Sequence, residues 1–387
     1  MKYDIAIIGA GIQGAACAQA ASAAGYRVLV IEQYAQPAQG TSQRSSKLIH
    51  GGLRYLETAQ FRLVRECLVE RQRLLNNAPH LVKLVPFYIP VYKQTSRRPW
   101  KIALGLWLYT LLSKKPFKRI PESDWGKLDG LDTRDLVTVF SYLDAQTDDE
   151  KLTRAVLASA QQMGTDIQYE TRFLNADITH NDVTLHIEND GQQTSIKSKT
   201  LINAAGPWVN RTAAEFSPHH QQPAVELVQG THIVVPGTVS QGMYYLESPQ
   251  DKRAIFVMPW KGNLLIGTTE NIFTGNPENV TPLQTEIQYL LSIYNHYFGK
   301  QLMESDIVSS FAGLRVLPTG TDTAFSRPRD TLLVCNHEDN PRVVSLYGGK
   351  LTAHRATADD VMEKLLRTLP QKKPIADTRT LRLPAVD

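Results

Sequence analysis

Cysteine is scarce: three residues in 387, Cys17, Cys67 and Cys335, none within Cys-x-x-Cys spacing of another. That excludes a disulfide framework and a cysteine-held metal, and it points to a reducing compartment. Long apolar runs are missing, so no stretch is expected to cross a bilayer. Charge of one sign is lacking as well, with 42 Lys and Arg against 38 Asp and Glu, a net +4. So small an excess, without zinc-finger, RNP or basic-zipper patterns, gives no reason to expect a nucleic-acid partner. Internal repeats and low-complexity segments are absent. The chain opens Met1-Lys2-Tyr3-Asp4 and turns apolar at once, so a secretory leader is not expected.

What is present is an ordinary globular composition, 42% hydrophobic and 21% charged. The length suits two or three domains with a large core. Residues 3–8 read as a buried parallel strand that ends at Gly9. Gly9-Ala10-Gly11-Ile12-Gln13-Gly14 follows, then an Ala-rich helix to Ala24, then a second strand from Tyr26 to Ile31 and Glu32. This is GxGxxG in its required context of strand, tight turn, helix, strand and acidic residue. Gly9 permits the turn, Gly11 lets the backbone reach a pyrophosphate, and Gly14 lets helix and strand pack closely. Glu32 can accept from a ribose hydroxyl. NAD and FAD are both served by such a unit. The short link Gln33–Gly40, leading straight to Thr41-Ser42 and a polar loop, fits a flavin better.

That loop continues Ser45-Ser46-Lys47-Leu48-Ile49-His50-Gly51-Gly52-Leu53-Arg54-Tyr55-Leu56-Glu57. Gly51-Gly52 lets the backbone approach a flat ligand. Lys47, His50 and Arg54 supply positive charge and proton-transfer chemistry. A basic loop with solvated charges is the plainer alternative.

Residues 59–78 have helical periodicity, with Cys67 as core filling, and Pro79 and Pro86 break the chain before a strand from Phe87 to Tyr92. Residues 97–119 flank an apolar core, Ile102 to Leu112, with basic residues at both ends. They read either as a helix lying in a membrane interface or as a buried helix with solvated ends. Asp144, Asp148, Asp149 and Glu150 read as helix-start chemistry rather than a metal site. Residues 167–200 alternate like an antiparallel layer with an Asn189-Asp190-Gly191 hairpin turn. The pair His219-His220 reads as loop, and no metal site is expected anywhere.

The run from Thr41 to Glu57 resembles the FAD-dependent, quinone-linked, aerobic-type glycerol-3-phosphate dehydrogenases, within the amino-acid-oxidase-like flavoenzymes. The resemblance continues through Ala204-Ala205-Gly206-Pro207-Trp208, Gly230-Thr231-His232, Ile266-Gly267-Thr268-Thr269-Glu270, Gly313-Leu314-Arg315, Arg329-Asp330 and Tyr347-Gly348-Gly349-Lys350-Leu351-Thr352. Two departures are visible: Glu270 where the family usually has Asp, and Val316 in place of a proline. The family usually carries a further helical C-terminal domain, and this sequence ends at Asp387 without it. The fold expected is α/β (α+β overall). A Rossmann-like FAD-binding domain (1–78, 142–222 and 308–387) joins an antiparallel-sheet substrate domain (79–141 and 223–307). A membrane-interface helix would span 98–114.

From the resemblance, FAD would be held by Gly9, Gly11, Gly14, Glu32, Thr41, Ser42, Ser45, Ser46, Lys47, Leu48, Gly206 and the run Gly348, Gly349, Lys350, Leu351, Thr352. Arg54 and Arg329, with Tyr55, would take the substrate phosphate. His232 would act as base, with a satisfied strand histidine as the alternative. Arg315 would stabilise a developing alkoxide, and His50 and Lys350 would tune the ring. The implied reaction oxidises sn-glycerol 3-phosphate to dihydroxyacetone phosphate and passes electrons to a quinone. Peripheral contact with the cytoplasmic face of the membrane is implied too, and the oligomeric state is left open. The alternatives are an oxygen-using oxidase, an enzyme of 2-hydroxy or amino acids, and a non-catalytic flavin-binding subunit.

Overall fold

The computed structural model describes residues 3–56, 60–319 and 331–386. Two mixed sheets organise them. In the first, β1 (Tyr3–Ile8) lies between β2 (Val28–Ile31) and the second half of the long strand Gln192–Asn203, all parallel. Val343–Tyr347 and Asp166–Gln168 extend this parallel core on its two sides. The first half of Gln192–Asn203 instead pairs antiparallel with Val183–Asn189, across a hairpin whose Asp190 and Gly191 both have positive φ, 49° and 73°. That is the two-residue turn the sequence announces.

Side chains alternate across β1, and each face has its own cover. Ile5 and Ile7 pack with α1 (Ile12–Ala23), and Ala6 and Ile8 pack with the antiparallel layer around Val183, Leu185 and Phe216. Each such fully buried aliphatic side chain contributes roughly 1.5–3 kcal/mol. Gly14 is what permits the close approach of α1, because a Cβ there would lie 1.9 Å from the Gly9 carbonyl.

Helix α2 (Phe61–Asn77) and helix α3 (Pro99–Ser113) pack on the second sheet, whereas α4 (Asp149–Gln162) lies beside α1 under the first. Further on come α5 (Val209–Ala214), α6 (Gln284–Tyr297) and α7 (His354–Leu365). The second sheet has ten strands, antiparallel except where Met243–Tyr244 runs parallel to Phe87–Tyr88. Within it Val225–Val235 lies between Ser309–Pro318 on one side and Asn263–Gly267 on the other.

Three differences from the sequence reading have physical causes. The strand expected at Phe87 begins at Lys83 and contains Pro86 and Pro90, which is tolerable because its parallel neighbour reaches only Phe87 and Tyr88. Ser309–Pro318 falls within the stretch read as FAD-binding domain, yet it pairs along its length with Val225–Val235. Leu136–Gln146 likewise runs across the boundary placed at 141/142. Helix α3 is buried along one face only. Leu106 and Tyr109 are enclosed, while Trp100, Leu104, Trp107 and Leu111 are 50–62% exposed. No helix among the described residues is long and apolar enough to cross a membrane.

Candidate active site

The parallel strands β1, Gln192–Asn203 and Val343–Tyr347 end together, and glycine turns follow each of them: Gly9, Gly206 and Gly348-Gly349. Ligands in such sheets bind beyond the carboxyl ends of the strands. There the Glu32 carboxylate accepts from Ala10 N at 2.6 Å and Tyr34 N at 3.1 Å. Ser42 Oγ accepts from Ile12 N at 2.9 Å, capping α1 from 30 positions away. A cavity of about 650 Å³ begins at this cradle and extends to the second sheet.

The loop after Gly40 is folded by long-range bonds. Thr41 Oγ1 donates to Leu314 O at 2.8 Å. Ser45 donates twice to Asp149, at 2.9 and 2.6 Å, and Lys47 Nζ lies 2.6 Å from the same carboxylate. Further along, Gly51 N donates to Asp144, which also pairs with Arg71 at 2.7 Å and accepts from Tyr109 at 3.1 Å. Asp148 is the N-cap of α4, as the sequence suggests. Asp144 and Asp149 have a different job: they pin the loop that carries Ser45, Lys47 and Gly51. Their partners lie 35 to 104 positions away, beyond the reach of any local pattern.

Opposite this loop, Lys350 Nζ stands 4.7 Å from the Tyr55 ring centroid. Thr352 Oγ1 donates to His50 O at 3.4 Å, joining the two glycine-rich turns.

The second sheet supplies the far wall. His232 is fully enclosed. Its Nε2 is 3.0 Å from Ser46 Oγ, its ring stacks on Phe311 at 5.0 Å, and Nδ1 has no hydrogen-bond partner among the described residues. Gly267 faces it, and a Cβ there would fall 2.1 Å from the imidazole, so only glycine accommodates the ring. Burial, then the charges of Lys47 and Arg315, hold the His232 pKa down to about 3. Beside it Arg315 forms an ion pair with Glu270, and both line the cavity.

The structure thus brings Gly9, Gly11, Glu32, Thr41, Ser42, Ser45, Ser46, Leu48, His50, Tyr55, Gly206, His232, Arg315, Gly348, Gly349, Lys350, Leu351 and Thr352 to one cavity. Gly14 acts one layer behind, in helix–strand packing. Lys47, whose backbone takes a positive φ of 59°, is turned away from the cavity into the buried pair with Asp149. Arg329 and the side chain of Arg54 lie outside the described residues. Trp208 and Phe256 also line the cavity, together with Tyr245 and Arg253, which local sequence gives no reason to single out. Trp208 Nε1 is buried without a partner among the described residues. A long cavity with a glycine cradle and a buried carboxylate at one end fits an extended dinucleotide.

The model of the FAD dependent oxidoreductase family matches residues 4–355. The chain is 38% identical over 374 residues to aerobic glycerol-3-phosphate dehydrogenase of Escherichia coli, covering 94% of this chain and 73% of that one. It is 35% identical over 377 residues to D-erythritol 1-phosphate dehydrogenase of Brucella abortus, covering 95% and 74%. In fold it matches L-alpha-glycerophosphate oxidase of Mycoplasma pneumoniae with a TM-score of 0.80, at 20% identity over 99% of each chain. The chain therefore belongs to the FAD dependent oxidoreductases, in the group represented by its glycerol-3-phosphate dehydrogenase relatives, and its cofactor is FAD.

Proposed function

We propose that this protein oxidises sn-glycerol 3-phosphate to dihydroxyacetone phosphate and passes the electrons to a quinone. The observation that carries the reading is the single cavity joining the dinucleotide cradle at Gly9 and Glu32 to His232, Arg315, Tyr55 and Lys350. The 38% identity to the Escherichia coli enzyme supports the substrate class.

FAD supplies the hydride acceptor. The chain's own residues do the rest. Arg54 and Arg329, with Tyr55, take the dianionic phosphate, for which planar bidentate donors are suited. His232, held at Nε2 by Ser46, takes the hydroxyl proton that must leave as hydride departs. Its low pKa keeps the ring neutral and ready, and the incoming dianion raises its basicity on binding. Arg315, oriented by Glu270, stabilises negative charge on the substrate oxygen. Lys350 and His50 place further positive and polar groups at the ring end.

Electron transfer to a membrane quinone is supported by α3. Its exposed apolar face, with Arg98, Lys101, Lys114 and Lys115 near its ends, suits peripheral contact with an anionic membrane surface. The relationship to D-erythritol 1-phosphate dehydrogenase favours testing a longer polyol phosphate alongside.

Anaerobic titration of the FAD-loaded protein is the deciding experiment. Glycerol 3-phosphate should bleach the flavin absorbance, and a quinone should restore it faster than air does. Bleaching by erythritol phosphate alone would replace the substrate. A flavin reducible by dithionite but by neither polyol phosphate would end this reading.

A further inference from the structure

One buried carboxylate outside the cavity holds two neighbouring segments of the wall at its substrate end. Glu286, in the first turn of α6, is 3% exposed and does not line the cavity. Its Oε1 accepts from Thr269 Oγ1 at 2.6 Å and Asn271 Nδ2 at 2.7 Å. Its Oε2 accepts from Thr231 Oγ1 and Gln229 Nε2, both at 2.6 Å, and from Leu283 N at 3.0 Å. Thr269 and Asn271 are the two neighbours of Glu270, and Thr231 precedes His232. A helix cap requires only the Leu283 bond. The other four go to the segments that present the reactive groups.

We infer that Glu286 is a positioning residue, fixing Glu270 against Arg315 and holding His232 in register beside them. The inference rests on the glycerol-phosphate reading of the site. Five donors converging on one carboxylate require it ionised. Burial pushes its pKa up, but the bonds from Thr231, Thr269, Leu283 N and Asn271 outweigh that and leave it below the usual range. An amide in its place would turn an NH2 group towards donors and leave at least one of them without an acceptor.

The test is a double-mutant cycle on the FAD-loaded protein: wild type, Glu286→Gln, Glu270→Gln and the pair. Two quantities are read, the rate of flavin bleaching by glycerol 3-phosphate and amide hydrogen exchange across 268–272. Glu286→Gln should slow bleaching about tenfold or more at full flavin loading, and should speed exchange in that segment by a similar factor. In the Glu270→Gln background the rate effect should shrink to less than about twofold, because residues acting as a unit are not additive. An equal loss in both backgrounds would mean a general structural role, and unchanged exchange in 268–272 would overturn the positioning claim directly. If Glu286→Gln does not load FAD, Glu286→Asp, which keeps the charge and shortens the reach, enters the same cycle. Exchange needs no substrate. A wild-type flavin that glycerol 3-phosphate fails to bleach sinks the functional reading, and Glu286 is then judged on exchange.

Discussion

Ser46 Oγ and His232 Nε2 meet at 3.0 Å although 186 positions separate them in the chain. The bond joins the loop that leaves the dinucleotide cradle to strand Val225–Val235 of the second sheet. The imidazole is thereby fixed relative to the site's other half, instead of relying on one strand for its orientation.

His232 should make stability depend on pH in a defined window. Its folded pKa is depressed from 6.5 to about 3, by burial first and then by Lys47 and Arg315. Between those values the unfolded chain binds a proton that the folded chain refuses. Stability attributable to this ring is present above pH 6.5 and is lost as pH falls towards 3, at up to about 1.4 kcal/mol per unit. Thermal melts from pH 4 to 7 should show wild type losing Tm faster on acidification than His232→Asn. Parallel losses would mean that the ring is not held neutral by its surroundings.

Much of this site is legible in sequence because its parts are local. Gly9 to Glu32 forms one contiguous unit, and its strand–turn–helix–strand pattern follows from periodicity and glycine placement. His232, Arg315 and Lys350 carry chemistry that can be recognised from their motifs, and the fold does bring them to one cavity. What stays hidden depends on partners far along the chain. Asp144 and Asp149 look like helix-start acids until Arg71 and Lys47 are seen beside them. Lys47 looks like a ligand residue until its ammonium is found paired with Asp149 away from the cavity. Glu286 carries no motif at all; five donors from separate segments make it noticeable.

The Arg71–Asp144 pair should be costly to break from one side. Both groups are buried, 2.7 Å apart, and Tyr109 O–H lies within 3.1 Å of each. Removing one partner of such a pair leaves an uncompensated charge, at a cost of about 3–5 kcal/mol. Arg71→Leu and Asp144→Ala should each lower the urea midpoint, at constant slope, by that free energy divided by the slope. Arg71→Leu combined with Asp144→Leu should recover part of the loss, since no buried charge is left alone. A double variant as unstable as the sum of the singles would contradict this account.

Gly14→Ala should cost flavin before it costs the second sheet. A methyl group at that position meets the Gly9 carbonyl at 1.9 Å, so α1 must move away from the turn that begins the cradle. Flavin-to-protein absorbance after purification should fall well below that of wild type. Gly164→Ala is the control for loss of a glycine: its φ of 94° adds a backbone strain that helical Gly14 does not have, but nothing lies within 4 Å of the added methyl. It should retain its flavin and lose only the roughly 1 kcal/mol of a strained backbone.

Helix α3 offers the sharpest test of membrane contact, because its two faces separate binding from folding. Trp100, Leu104, Trp107 and Leu111 project outward, whereas Leu106 and Tyr109 anchor the helix among Phe87, Phe140 and Tyr142. Leu104→Asp with Leu111→Asp should therefore leave thermal stability and anaerobic bleaching by substrate near wild type. Flotation with liposomes containing anionic lipid should drop about tenfold or more, since two apolar contacts are lost and two negative charges are added near an anionic surface. Raising the salt should weaken wild-type flotation without abolishing it, because the basic flanks are screened while the apolar face is not. If wild type fails to float on any liposome, the exposed face serves another contact and the quinone loses its structural support. If it floats and the double variant floats equally, the membrane contact lies elsewhere on the protein.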